Sequence, residues 1–169
     1  MTDRAILPVQ GVLTDRQRVK LTRNLEEVQA NIWSIGGKRG WYKANLLWRM
    51  RGWLDELMGG VGLARGRKNP TELSPGDTLD FWRVVIADKH KRHLLLFAEM
   101  KVPGKAWLQF KIVQEHDGYY LEQLAVFEPD GLAGYLYWYS MLPFHFIIFR
   151  GMIRNIIHYK HHKTTSHQT

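Results

Sequence analysis

The chain has 169 residues, with 24 Lys and Arg against 16 Asp and Glu, a formal net charge of +8, and no cysteine. That length suits one domain with a sizeable core, and the missing cysteine excludes disulfides, thiolate catalysis and Cys-based zinc sites. The positive charge is spread over Arg16/Arg18/Lys20, Arg65/Arg67/Lys68, Lys89/Lys91/Arg92 and Lys160/Lys163, which describes solvated surface rather than a nucleic-acid-binding stripe.

Residues 1–11 read as an irregular arm. They lack the charged start, apolar run and small-residue cleavage site of a secretory signal, so a cytoplasmic protein is expected. Arg16, Arg18, Lys20 and Thr22 alternate with Gln17, Val19 and Leu21, a period-two pattern that predicts a strand with one solvated face. Asn24 then stands as an N-cap before Glu26 and Glu27, and Leu25, Val28 and Ile32 keep helical spacing up to Gly36-Gly37.

A second helical segment is expected over 41–58, interrupted at Gly52, with Leu46, Leu47, Met50, Trp53, Leu54 and Leu57 as its apolar side. Glycines at 59, 60, 62 and 66 mark a bend. They lack the Gly-Lys-Ser/Thr ending of a phosphate-binding loop.

Four strands follow at Thr78–Ala87, His93–Lys101, Lys105–Glu115 and Tyr119–Phe127. Hairpin-length connections, with Asp117-Gly118 as the strongest turn signal, make them an antiparallel meander. One face should carry Leu94, Leu96, Ala98, Met100, Ala106, Leu108, Phe110, Ile112, Leu121, Gln123, Ala125 and Phe127. Glu99, Lys101, Gln109 and Lys111 then point outward. In the first strand Asp80 and Trp82 are taken as inward.

From Leu132 to Phe149 no side chain carries a formal charge, and one helix is expected from Leu132 to about Lys160, kinked near Pro143. Its roughly 29 residues would span about 43 Å. The stretch reaches the lower edge of what can cross a bilayer. Tyr135, Tyr137, Trp138 and Tyr139 would sit too deep in lipid for an interfacial belt, and the strands need an apolar partner, so a sheet-covering helix is expected. The organisation is thus an arm at 1–11, a single domain over 12–160 and a polar, His-rich tail at 161–169. The fold class is α+β, a curved antiparallel sheet wrapped around a long C-terminal helix.

Several strings carry a family resemblance. Gly59-Gly60-Val61-Gly62-Leu63-Ala64-Arg65-Gly66-Arg67, Gly76-Asp77-Thr78-Leu79-Asp80-Phe81-Trp82-Arg83-Val84 and Ala98-Glu99-Met100-Lys101-Val102-Pro103-Gly104-Lys105-Ala106-Trp107-Leu108 occur in that order. Gly131-Leu132-Ala133-Gly134-Tyr135-Leu136-Tyr137-Trp138-Tyr139 and Leu142-Pro143-Phe144-His145 complete the set. Over residues 12–155 the chain resembles the bacterial family catalogued as domain of unknown function 2867. The resemblance implies a START/Bet v 1-like, helix-grip fold, whose members enclose hydrophobic molecules between sheet and helix. That family often follows a short-chain-dehydrogenase-like domain. No Gly-x-Gly-x-x-Gly element precedes residue 12 here, so the resemblance assigns no NAD(P) site.

The expected function is therefore binding of a small hydrophobic or lipid-like ligand, with no cofactor and no nucleic-acid partner. Asp80, Trp82, Met100, Leu108, Phe110, Gln123, Tyr139 and His145 are the candidate ligand-binding residues, and Gln123, Asp80, Tyr139 and His145 would orient the ligand. Two alternatives stand beside this. A cyclase or hydrolase could use Asp80 and His145 as an acid/base pair, although no Gly-x-Ser-x-Gly nucleophile motif is present and a non-enzyme is preferred. An accessory module could instead meet an anionic membrane or a dehydrogenase-like partner through Arg150, Arg154 and His158. The imidazoles of His158, His161 and His162 lie at the helix end and in the polar terminal tail, and are not read as a resident metal site.

Overall fold

The computed structural model describes residues 7–8, 10–36, 69 and 72–159. The helix expected at 41–58, the glycines at 59, 60, 62 and 66, and His161, His162 and His167 lie outside the described residues.

A six-stranded antiparallel sheet, in the order β1-β6-β5-β4-β3-β2, forms the frame. Strand β1 (Leu13–Lys20) alternates strictly between half-buried and exposed side chains, as its sequence alternates. It pairs with β6 (Gly118–Pro129), which closes a long hairpin with β5 (Gly104–Glu115) through His116-Asp117. Strand β4 (His93–Ala98) follows, then β3 (Trp82–Asp88) with an irregularity at Val85, and finally the two-residue β2 (Thr78–Leu79).

Helix α1 (Leu25–Trp33) starts where expected, with the Asn24 side chain accepting from the Glu26 N–H at 2.8 Å. It ends before Gly36, whose φ of +80° suits glycine and whose missing side chain makes room for Leu79. Helix α2 (Gly131–His158) runs 28 residues without a break through Pro143.

The expected strand over 78–87 is two strands. Thr78 pairs with Arg83 and Leu79 with Trp82, which leaves Asp80-Phe81 as a tight turn with Asp80 at φ +55°. Asp tolerates that left-handed backbone better than most residues. Asp80 therefore belongs to a hairpin turn, and its assignment to the inner strand face is corrected.

The core lies between the concave sheet face and the two helices. Leu94, Leu96, Leu108, Phe110, Ile112, Leu121 and Ala125 from the sheet meet Val28 and Ile32 of α1 and Met152, Ile153 and Ile156 of α2. The inner register of β4, β5 and β6 is thus the one their alternation predicted. The other face is not uniformly solvated. Leu95, Trp107 and Val126 form a second buried cluster there, covered in part by Leu7 of the N-terminal arm and by Val12.

Helix α2 is held at both ends. Near its start, a side chain at Gly134 would come within 2.5 Å of the Pro103 carbonyl and 2.7 Å of Pro129, so only glycine allows this close approach. At its end, the Asn31 amide donates to the Ile156 and Tyr159 carbonyls at 2.7 and 3.1 Å. Arg23 donates to the carbonyls of His158 and Tyr159. These bonds satisfy acceptors that a helix C-terminus leaves unpaired.

The sheet covers only one face of α2. Trp138, Met141, Ile148 and Met152 are buried, while Leu132, Leu136, Tyr139, Phe146 and Ile147 stand exposed. A helix offers the sheet one stripe, and the remaining apolar side chains of α2 turn away from it.

Candidate functional site

Between the middle of α2, from Tyr137 to Met152, and the adjoining ends of β3, β5 and β6 lies a cavity of about 90 Å³. Trp82 enters from β3, Met100 from the β4–β5 connection, Leu108 from β5, and Trp138, His145 and Phe149 from α2. Its wall is overwhelmingly apolar. Trp138, His145 and Met152 repeat at seven-residue intervals, which keeps them on one helix face.

Besides the Tyr137 phenol, His145 is the polar exception. Its ring meets Trp138 edge-on at 5.1 Å and stacks on Phe149 at 5.0 Å between centroids. Burial holds its pKa below the ordinary histidine value, partly opposed by the negative charge of Asp15. The ring is thus neutral at pH 7, with one donor and one acceptor nitrogen. Its Nδ1 atom is buried and has no hydrogen-bond partner within the protein. The Tyr137 phenol also borders the cavity, and burial raises its pKa.

A second polar group lies on the same sheet face. Gln123 of β6 is completely buried, and neither its amide nitrogen nor its carbonyl oxygen has a partner. It pairs in register with Gln17 of β1, whose amide donates to Asp15 at 2.8 Å. Asp15 is opposite Ala125, a cavity-lining residue, and its charge is felt at His145. Sequence reasoning alone does not single out Asp15 and Gln17. Their signal was parity, since both share the strand face of Val19.

The structure brings Trp82, Met100, Leu108 and His145 together around the cavity. Phe110 and Gln123 are fully buried in the adjacent core, outside its lining. Tyr139, 59% exposed, lies on the solvent side of α2 and cannot orient a molecule held beneath the helix. Asp80 is absent from the lining, and the carboxylate whose field reaches His145 belongs to Asp15. Of the two residues named for an acid/base pair, His145 lines the cavity and Asp80 does not. Among the described residues no three His, Asp or Glu side chains are grouped to hold a metal ion.

Residues 10–152 match the family described as "protein of unknown function (DUF2867)". No curated protein matches the chain in sequence. Among solved structures, a protein of Nitrosospira multiformis is similar at a TM-score of 0.52 and 9% identity, over 86% of this chain and 94% of that one. Major latex-like protein 151 of Panax ginseng is similar at 0.50 and 5% identity, over 86% and 95% of the two chains. These likenesses show the fold, a START/Bet v 1-like helix grip.

Proposed function

The chain belongs to the DUF2867 family of unknown function, and from that premise we propose that it binds a small, mainly apolar molecule between its sheet and α2. The observation that carries this reading is the unpaired Nδ1 of His145, set in the wall of an otherwise apolar cavity. Leaving such a group buried without a partner costs about 1–3 kcal/mol. A ligand hydroxyl or carbonyl group placed there would recover that hydrogen bond while its apolar body met Trp82, Met100 and Leu108.

The present cavity, about 90 Å³, is smaller than the roughly 300 Å³ typical of drug-sized ligands. A larger molecule would be admitted by rearrangement of Met100 and Met152, whose unbranched side chains repack at little cost. The test is mass spectrometry of organic extracts and of the native, gently purified full chain. A reproducible stoichiometric apolar molecule, absent from the cavity-filling variant Ala106→Leu, is expected. Recovery of nothing from the wild type, or equal recovery from the variant, would overturn the reading.

A further inference from the structure

One face of α2 is covered by neither the sheet nor α1. Leu132, Tyr135, Leu136, Tyr139, Leu142, Phe146 and Ile147 follow one another along it, with Leu132 at 75% and Leu136 at 64% exposure. The sequence of steps (three, one, three, three, four, one) keeps these residues within one continuous helical stripe. Only 28% of the most apolar 18-residue window of α2 is buried. A core helix would be buried over most of that window, so water-facing apolar surface here calls for a partner.

The stripe ends in positive charge. Arg150 and Arg154 are exposed on its continuation, and the Arg150 guanidinium lies 4.3 Å from the Phe146 ring centre. Neither arginine forms an ion pair among the described residues, and residues 131–158 contain no carboxylate. Apolar side chains, tyrosines able to place hydroxyls at headgroup level, and unpaired cations are the parts an interfacial helix needs.

We propose that this face docks the protein, with α2 lying in the plane, on the surface of an anionic phospholipid bilayer. By length and composition α2 could also cross a membrane. Its opposite face, however, contributes Trp138, Met141, Met152 and Ile156 to the protein interior. Insertion as a span would strip those side chains from the sheet, whereas in-plane docking leaves them where they are. A second copy of the chain is the poorer occupant, because its α2 presents the arginines with no carboxylate. The proposal is independent of whether the cavity holds a ligand.

Co-sedimentation of the full chain with vesicles tests it. Binding is expected to vesicles of phosphatidylcholine mixed with phosphatidylglycerol, to weaken with salt, and to be slight on phosphatidylcholine alone. Arg150→Glu/Arg154→Glu should lower the partition coefficient about thirtyfold or more, and Leu136→Glu/Ile147→Glu should abolish pelleting. All four positions are exposed, so circular dichroism and thermal melts of both variants should match the wild type. Failure of the wild type to pellet with anionic vesicles would overturn the proposal, as would pelleting unchanged by both folded variants. So would a dimer in sedimentation velocity that the stripe variant dissociates while no vesicle binding is seen.

Discussion

The side-chain amide of Asn31 in α1 donates to the main-chain carbonyl of Ile156 in α2 at 2.7 Å, inside the protein. The bond joins the two helices at a point where Ile156 is completely buried. Asn31→Leu keeps the approximate shape but leaves that carbonyl without this donor. It should cost about 1–3 kcal/mol, read as a lower midpoint in urea denaturation with an unchanged slope.

Gly134 lies where α2 first touches the sheet, against Pro103 and Pro129. Gly134→Ala would ordinarily favour a helix. Here the added methyl meets backbone at 2.5 Å, and overpacking should prevail by about 1–3 kcal/mol. Ala133→Gly, at the exposed neighbouring position, is the control. Thermal melts should show the larger loss for Gly134→Ala.

Gln123 presents the opposite case. Both polar atoms of its amide are buried and unpaired, so Gln123→Leu should stabilise the unliganded protein by roughly 1 kcal/mol or more. A rise in the melting temperature is the expected outcome. If the same variant retains less of any co-purified molecule, Gln123 is placed on the ligand's side of the core; if it is less stable than wild type, the amide has a protein partner in solution.

Burial lowers the pKa of His145, so the unfolded chain binds this proton more readily than the folded one. The resulting contribution to stability is fully present above the unfolded value of about 6.5. It is lost as pH falls from there towards the lower folded value. His93 is shifted the same way, again chiefly by burial. His145→Phe should therefore flatten, without abolishing, the decline in stability below neutral pH. Denaturation curves across pH 5–8 give the comparison, and an unchanged slope would count against a buried neutral His145.

The long strands were readable because their alternation is sustained. Leu94/Leu96, Leu108/Phe110/Ile112 and Leu121/Gln123/Ala125 fix a face that a one-residue slip would invert. The same reliance on alternation conceals the turn at Asp80. Two short strands with an Asp-Phe turn between them imitate a single alternating run, and Asp-Phe is not a recognised hairpin signal.

Tyr139 was misplaced because an uncharged segment conceals which of its faces meets the sheet. The seven-residue recurrence of Trp138, His145 and Met152 carried that information. The role of Asp15 depends on β1 pairing with β6 across more than a hundred residues, a contact that local spacing does not encode.

Helix α2 is fastened by Gly134 at one end and by Asn31 and Arg23 at the other. Pro143, between these anchors, lacks the N–H that would reach the Tyr139 carbonyl. Mechanically the helix is a beam supported at both ends and softest at midspan, two residues from His145. Traffic into the cavity is then expected to follow a bowing of the middle rather than the release of either support. Amides flanking Pro143 should exchange with deuterium sooner than those near Ile153 and Ile156.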